Sequence, residues 1–326
     1  MDRKYVTETV LADEAGIAQA ATVLRDGGLV AVPTETVYGL AARADSADAV
    51  ARIFAAKGRP SFNPLIVHVR DMEQAARYAE WSHDARRAVE MIWPGPLTIV
   101  VPARADAGLA AAVTAGLPTV ALRCPAHPVM QELLQRIDFP LAAPSANRSG
   151  FISPTTAEHV LASLDGRIDL VLDGGPTESG VESSILAIRE DGSWEELRAG
   201  PVDLDALHRR HFDRALPVRE SHSTLEAPGQ LASHYAPGKP VRLAAIEAAS
   251  DEFMIGFGAL EGDVTLSAAG DLTEAASRLY ACLHVGARSE KPRIAIAPVP
   301  DEGIGRAIND RLRRAATPPD QSPSGS

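Results

Sequence analysis

Short apolar runs, each too brief for a helix, recur along the first two-thirds of the chain. They are LVAVP (29–33), LIVHV (65–69), LTIVV (97–101), TVALR (119–123), DLVLD (169–173) and SSILAI (183–188). Val, Ile and Leu dominate them, as expected of strands buried in a sheet. Helix-length segments separate them. Residues 12–26 place Ile17, Val23 and Leu24 among apolar positions and end at Gly27-Gly28. Ser46 is placed to cap a helix running to Lys57. Further helices are predicted over 71–79, 83–92, 127–136, 155–163 and 203–209. Such alternation demands an α/β sheet with helical cover.

Between about 212 and 238 the pattern stops. This stretch is polar, carries prolines and has no period, so it reads as a linker. After it VRLAAI, EFMIGF, DVTLSA and RIAIAP alternate with predicted helices at 271–285 and 303–315, a second, smaller α/β unit. The last residues, TPPDQSPSGS, have the composition of a disordered tail.

Charge and cysteine content narrow the function. The net charge of −11 over 326 residues argues against a global basic field for nucleic acid. Two cysteines far apart in sequence, Cys124 and Cys282, give neither a disulfide framework nor a zinc spacing. The N-terminus lacks the apolar run of a signal peptide, and no stretch reaches bilayer-spanning length, so the expected location is the cytoplasm, with no membrane contact. Walker, Rossmann, zincin and hydrolase-elbow motifs are absent. His208 and His211, with Arg209 and Arg210 between them, read as a solvated helix face rather than a metal pair.

The polar residues concentrate just after strands, where α/β proteins place ligands. PTETVYGL (33–40), APSANRSGFISPTT (143–156) and GGPTESGVESS (174–184) are dense in hydroxyls and glycine. With Lys57, Arg59, Arg123, Arg148 and Arg198 beside them, such loops suit an anionic ligand. Only four of the 32 basic residues are lysine, which draws attention to Lys57.

Together with KGRPSFNPLIVHV (57–69), WPGPLT (93–98), LPTVALRCPAHP (117–128), RAG (198–200), APGQLASHYAP (227–237) and GIGRAINDRLRRAA (303–316), these loops resemble the YrdC-like family. The whole chain resembles its two-domain form, the L-threonylcarbamoyladenylate synthases. The resemblance implies a YrdC-like twisted mixed open sheet with helices over 1–211. A linker and active-site lid over 212–238, a small Rossmann-like α/β domain over 239–316 and a disordered tail over 317–326 would follow.

It also implies a reaction. L-threonine, bicarbonate and ATP, with Mg²⁺, give threonylcarbamoyl-adenylate and pyrophosphate, and a downstream tRNA threonylcarbamoyl transferase complex uses the product at adenosine 37 of tRNA. A weak tRNA contact would accompany this. By the same resemblance Lys57 and Arg59 carry the catalysis. ATP lies against Arg59, Asn63, Thr119, Ser145, Asn147, Ser153, Arg198 and Tyr235, with residues 227–237 folded over it. Threonine is held by Thr36, His68, Arg123, Ser183 and the backbone at Ala143. The metal's ligands are not assigned.

Structural roles compete at several positions. His68 also reads as a core histidine, Thr36 and Ser183 as turn residues, Ser153 as a helix cap, and Arg123 as the partner of a surface carboxylate. Glu35 and Glu182 read as structural or metal-adjacent. The alternative function is an RNA-binding YrdC-like module without turnover.

Overall fold

The structure, a computed structural model, describes residues 6–60, 63–189, 191–212 and 234–318. The predicted linker therefore lies largely outside the described residues, as do the last eight residues of the tail.

Ten strands build the larger sheet: β1 (Glu8–Leu11), β2 (Val30–Val32), β3 (Gly39–Arg43), β4 (Ile66–His68), β5 (Leu97–Pro102), β6 (Thr119–Arg123), β7 (Leu141–Ala142), β8 (Leu170–Asp173), β9 (Ser184–Ile188) and β10 (Trp194–Arg198). Their spatial order is β1-β8-β2-β3-β7-β4-β6-β5-β9-β10. Pairing is mixed. β4 runs parallel to β6, and β5 parallel to β9, while β3–β7, β4–β7 and β5–β6 are antiparallel.

Side-chain alternation sends each strand's residues to two faces. Ala31 of β2 joins a core containing Leu40, Val67, Ile99, Leu122 and Leu186. Val30 and Val32 face the other way, onto the helices Glu14–Arg25 and Pro128–Gln135. A small third cluster, Ile66, Val100, Ala121, Ile185 and Ala187, covers the part of the sheet beside His68. Local chemistry fixes the helix ends. Ser46 Oγ accepts from the Ala49 amide to open Ala47–Lys57, and Gly58 closes it in the left-handed region at φ 60°.

The second unit is an all-parallel sheet of β11 (Val241–Arg242), β12 (Glu252–Gly256), β13 (Val264–Thr265) and β14 (Arg293–Ile296), in the order β11-β14-β12-β13. The helices Leu272–Arg288 and Gly305–Ala316 bury their apolar sides in its core. That core does not stop at the smaller sheet. Val37, Ile152 and Val181, one from each polar loop of the larger unit, belong to it, and so does Tyr235. The second unit is thus seated on the loops that the sequence marks as the ligand site.

Several expectations change. The helix expected over 71–79 is a single turn, Met72–Ala75. Part of the PTETVYGL loop is strand β3. β1 and β10 are strands that the apolar-run criterion passes over. His208 is not solvated: it is 2% exposed and meets Trp194 edge-on, with ring centroids 5.3 Å apart.

One contact between the units admits only glycine. Gly180 has φ +68°, and a Cβ there would lie 2.4 Å from both Ala276 O and Ser277 Cα on the helix Leu272–Arg288. Gly180→Ala should therefore lower stability by about 1–3 kcal/mol, through strain at a left-handed position and a forced separation of the units. Urea unfolding of the full chain checks this, and an unchanged midpoint would contradict it.

Candidate active site

The sheet places the first functional pair by register. His68 at the end of β4 lies directly beside Arg123 at the end of β6. Both open into a cavity walled by Thr36 and Val37 from the first polar loop, and by Ala143, Pro144 and Ser145 from the second. Ile66 shares His68's face and forms the apolar floor. Arg59, Glu182, Arg198, His234 and Tyr235 complete the lining.

The Arg123 corner is a preset network. Its Nη2 donates to Glu35 Oε1 at 2.6 Å, and its Nη1 donates to Thr36 Oγ1 at 3.0 Å. Thr36 Oγ1 lies 2.9 Å from Thr34 Oγ1, which donates to the Val37 carbonyl at 2.6 Å. Thr34 Oγ1 also accepts from the Thr36 and Val37 amides, each at 3.2 Å, so the relay fixes the orientation of Arg123 from below. Burial pushes the Glu35 carboxyl up, but the Arg123 charge and hydrogen bond outweigh it and hold the group below its ordinary value. Arg123 Nε and His68 Nδ1 are buried with no hydrogen-bond partner. Burial, then the Arg123 charge, lower His68 to about 3, so it is neutral at any working pH.

The opposite wall is cationic. Arg59 donates from Nη2 to the Pro64 carbonyl at 3.1 Å, while its Nε is buried and unpartnered. Burial lowers its guanidinium to about 10, with Arg198 adding repulsion. Arg198 donates from Nε to the Ser183 carbonyl and from Nη2 to Ser183 Oγ, both at 3.0 Å, and Ser183 Oγ in turn lies 2.8 Å from Thr98 Oγ1. Burial likewise pulls Arg198 down. Lys57 is 2% exposed, and its ammonium donates to the Ser145 and Asn147 carbonyls, each at 2.5 Å. Burial, then repulsion from Arg59, set it well below the usual lysine range. Lys57 and Arg59, held at this cost with backbone carbonyls and no carboxylate as their hydrogen-bond partners among the described residues, favour an anion arriving beside them.

Glu182 joins this wall to the second unit. Its carboxylate accepts from Ser153 Oγ (2.6 Å), Tyr280 OH (2.8 Å) and Arg311 Nε (3.2 Å). Tyr280 and Arg311 belong to the two helices of the smaller unit. Burial raises the Glu182 pKa, but Arg311 and then Arg198 overcome it and bring the group to about 2. Tyr280 stacks on Tyr235 at 5.5 Å, and the Arg311 guanidinium lies 5.9 Å from the same ring. Tyr235 is itself strained, at φ +63°, and 1% exposed. The Ala236 amide ties its segment to the Gly150 carbonyl at 2.8 Å.

Of the residues singled out in the sequence, Thr36, Arg59, His68, Arg123, Ala143, Ser145, Arg198 and Tyr235 line the cavity together. Ser153, Ser183, Lys57, Asn63 and Asn147 stand one hydrogen bond behind a lining residue. Thr119 is apart: it opens β6, paired with Pro102, at the strand end away from Arg123. Two structural alternatives are corrected. Thr156, not Ser153, caps the following helix, by accepting from the His159 amide. Arg123 pairs with a buried carboxylate, not a surface one. Of the residues expected to form a lid, 227–233 lie outside the described residues, and His234 and Tyr235 line the cavity. Sequence reasoning did not place Thr34, Tyr280 or Arg311 at the site. Glu182, read in the sequence as structural or metal-adjacent, accepts from Ser153, Tyr280 and Arg311.

A mixed sheet with cationic loops at its strand ends, carrying a small parallel α/β unit on those loops, defines a two-domain YrdC-type architecture. A family model described as "Telomere recombination" (Sua5_yciO_yrdC) matches residues 22–200, and one described as "Threonylcarbamoyl-AMP synthase, C-terminal domain" matches 194–317. A threonylcarbamoyl-AMP synthase of Bacillus subtilis is 38% identical over 95% of this chain and 96% of its own. The synthase of Pyrococcus abyssi is 37% identical over 93% and 95%. The crystal structure of P. abyssi Sua5 complexed with L-threonine superposes with a TM-score of 0.85 at 35% identity, covering 95% of this chain and 97% of that one. The chain belongs to the Sua5 branch of this family, the two-domain threonylcarbamoyl-AMP synthases.

Glu182→Gln should destabilise the full chain by about 3–5 kcal/mol at pH 7, because it strips a buried arginine of its counter-charge. The wild-type contribution has a defined pH window. The folded pKa is depressed from 4.5 to about 2, so the stabilisation is present above pH 4.5 and lost as pH falls toward 2, amounting to roughly 3 kcal/mol. Denaturant unfolding of both proteins across that range should show the difference between them shrink with acid. A constant difference would rule out the charge as its source.

Proposed function

We propose that this cavity makes threonylcarbamoyl-AMP from L-threonine, bicarbonate and ATP. The observation that carries the reading is the pair of buried guanidinium groups, Arg59 and Arg123, each with an unpartnered Nε, set on two walls of one cavity. Arg123, held by Glu35 and Thr36, takes the amino-acid carboxylate, with His68, the Ala143 backbone and Ser183 shaping the rest of the threonine site. Arg59 and Arg198 take the ATP phosphates. Asn63 and Asn147 each keep a buried, unpartnered Oδ1 near this wall, and Ser145, Ser153 and Tyr235 complete the nucleotide site. Lys57 acts on the phosphates and holds the Ser145–Asn147 backbone to which they bind.

The chemistry needs no protein nucleophile. The threonine amine adds to bicarbonate and loses water, giving a carbamate. A carbamate oxygen then attacks the α-phosphorus, and the bond to the β-phosphate bridging oxygen breaks to release pyrophosphate. The protein positions the two anions against each other, neutralises the charge that develops and excludes water. Tyr235 and His234 close the cavity over the reactants, a shield that suits a labile mixed anhydride. Mg²⁺ fits as the counter-ion of the phosphates rather than as a protein-caged metal: Glu182 is fully engaged, and Glu35 offers one open oxygen. There it would neutralise phosphate charge.

The proposal extends to the division at 1–211, 212–238, 239–316 and 317–326. It includes a cytoplasmic setting, a downstream tRNA threonylcarbamoyl transferase complex as the consumer of the product, and a weak tRNA contact. No helix among the described residues is long and apolar enough to cross a membrane. The RNA-binding alternative is less favoured, because the cations of the cavity are buried, which suits a small anion and not a duplex.

Pyrophosphate release by the pure protein with Mg-ATP should require both bicarbonate and L-threonine. Arg59→Ala should lower the rate by about 10²-fold or more without a change in thermal unfolding. Arg123→Lys, which removes the planar fork, should raise the threonine KM well above any change in the ATP KM. Release that is indifferent to threonine would remove the reading.

A further inference from the structure

A second cleft lies on the far side of the same polar loop. It has a volume of about 330 Å³, within the range of small-molecule sites. Its walls are the helix Ala157–Leu164 of the larger unit and the helix Leu272–Arg288 of the smaller one, closed at one end by Phe151, Ala236 and Pro237. Arg148, Arg167 and Arg288 reach into it, and no carboxylate lines it. Among the described residues none of the three forms an ion pair or a side-chain hydrogen bond, though the Arg148 guanidinium lies over the Phe151 ring at 5.6 Å. Elsewhere on the surface Arg43, Arg52, Arg104, Arg136 and Arg293 each meet an aspartate or glutamate. In a chain of net charge −11, three arginines without a carboxylate partner gather around one concavity.

The floor is a pair of stacked imidazoles, His159 and His284, with centroids 3.8 Å apart. His284 Nε2 donates to the Ser153 carbonyl at 3.2 Å, so the floor is bonded to the loop that carries Ser153 Oγ toward Glu182. Burial, then Arg288, lower His159 to about 4, and burial, then His159, lower His284 to about 3. Both rings are therefore neutral, in a local field that is positive.

We infer that this cleft is a second anion site, which takes a small, multiply charged phosphate of the pyrophosphate type. Guanidinium groups converging from three segments match phosphate oxygens in several directions. The concave shape and the negative remainder of the surface select a compact anion over a nucleic acid backbone. Arg288 at its helix C-terminus also complements the helix dipole, but that leaves Arg148, from the loop, and Arg167, beyond the other helix, unexplained. An occupant would touch Arg148 and Pro237, and would brace from behind the loop and the chain segment that close the cavity. That pyrophosphate is the natural occupant rests on the function proposed above; the site itself does not.

Equilibrium dialysis of labelled pyrophosphate against the full chain at low salt tests this, with and without excess non-hydrolysable ATP analogue. Wild-type protein should retain one bound pyrophosphate after the analogue has displaced that in the cavity. Arg167→Glu with Arg288→Glu should weaken the retained site by about tenfold or more and leave threonine-dependent pyrophosphate release unchanged at low product. Arg167→Gln with Arg288→Gln serves the same purpose if the reversal impairs folding. An analogue that empties both sites would identify the occupant as a nucleotide phosphate and still support the cleft. Equal binding by wild type and both variants would overturn the proposal, as would capture of an RNA oligonucleotide but not pyrophosphate. If pyrophosphate release proves independent of threonine while the variants still lose a binding site, the functional reading falls and the cleft stands.

Discussion

Glu182 is the interaction on which the molecule's two halves depend. One carboxylate receives a serine from the catalytic loop, a tyrosine from one helix of the smaller unit and an arginine from the other. Such a buried pair contributes little net stability compared with a well-packed apolar substitute, because both charges must leave water. What it supplies is registration. Arg311 also donates to the Ala199 carbonyl, next to Arg198, at 2.5 Å. Tyr280 also stacks on Tyr235. A shift of the smaller unit would part Arg311 and Tyr280 from Glu182 and leave the two buried charges without each other, so the relative position is held by the cost of the alternative.

The same constraint accounts for the cationic wall. Arg59 and Lys57 are removed from water with no carboxylate partner among the described residues, and Arg198 is buried beside them, which in isolation would oppose folding. Backbone carbonyls take up part of that cost: Pro64 for Arg59, Ser183 for Arg198, Ser145 and Asn147 for Lys57. Carbonyl dipoles fix a cation's position without cancelling its charge. The wall therefore keeps its field for an incoming anion, in a place where water does not screen it.

The strands that run as β-branched or leucine-rich stretches were legible in the sequence, as were the Ser46 and Gly58 ends of one helix. β3, GLAAR, and β10, WEELR, were not. Their burial comes from neighbouring strands and from the second unit, and no local pattern records that. The cavity side chains near strand ends were legible for the same reason the strands were: each sits a fixed number of residues from an apolar run. Tyr280 and Arg311 lie 98 and 129 residues from the glutamate they meet. Each occupies an amphipathic helix, where the sequence shows only another residue facing inward.

This separation bears on why the smaller unit exists at all. Its core is completed by Val37, Ile152 and Val181, residues of the polar loops themselves. Loops dense in glycine, serine and threonine have little apolar surface of their own to hold one conformation, and their backbone entropy is high. The parallel sheet and its two helices give these loops a buried apolar side. Val37 faces that core, while Thr36, next to it, faces the cavity and accepts from Arg123. The smaller unit therefore serves as the rear wall of the candidate site. It orders the loops from outside the larger sheet, and through Tyr280 and Arg311 it reaches the carboxylate that places Ser153.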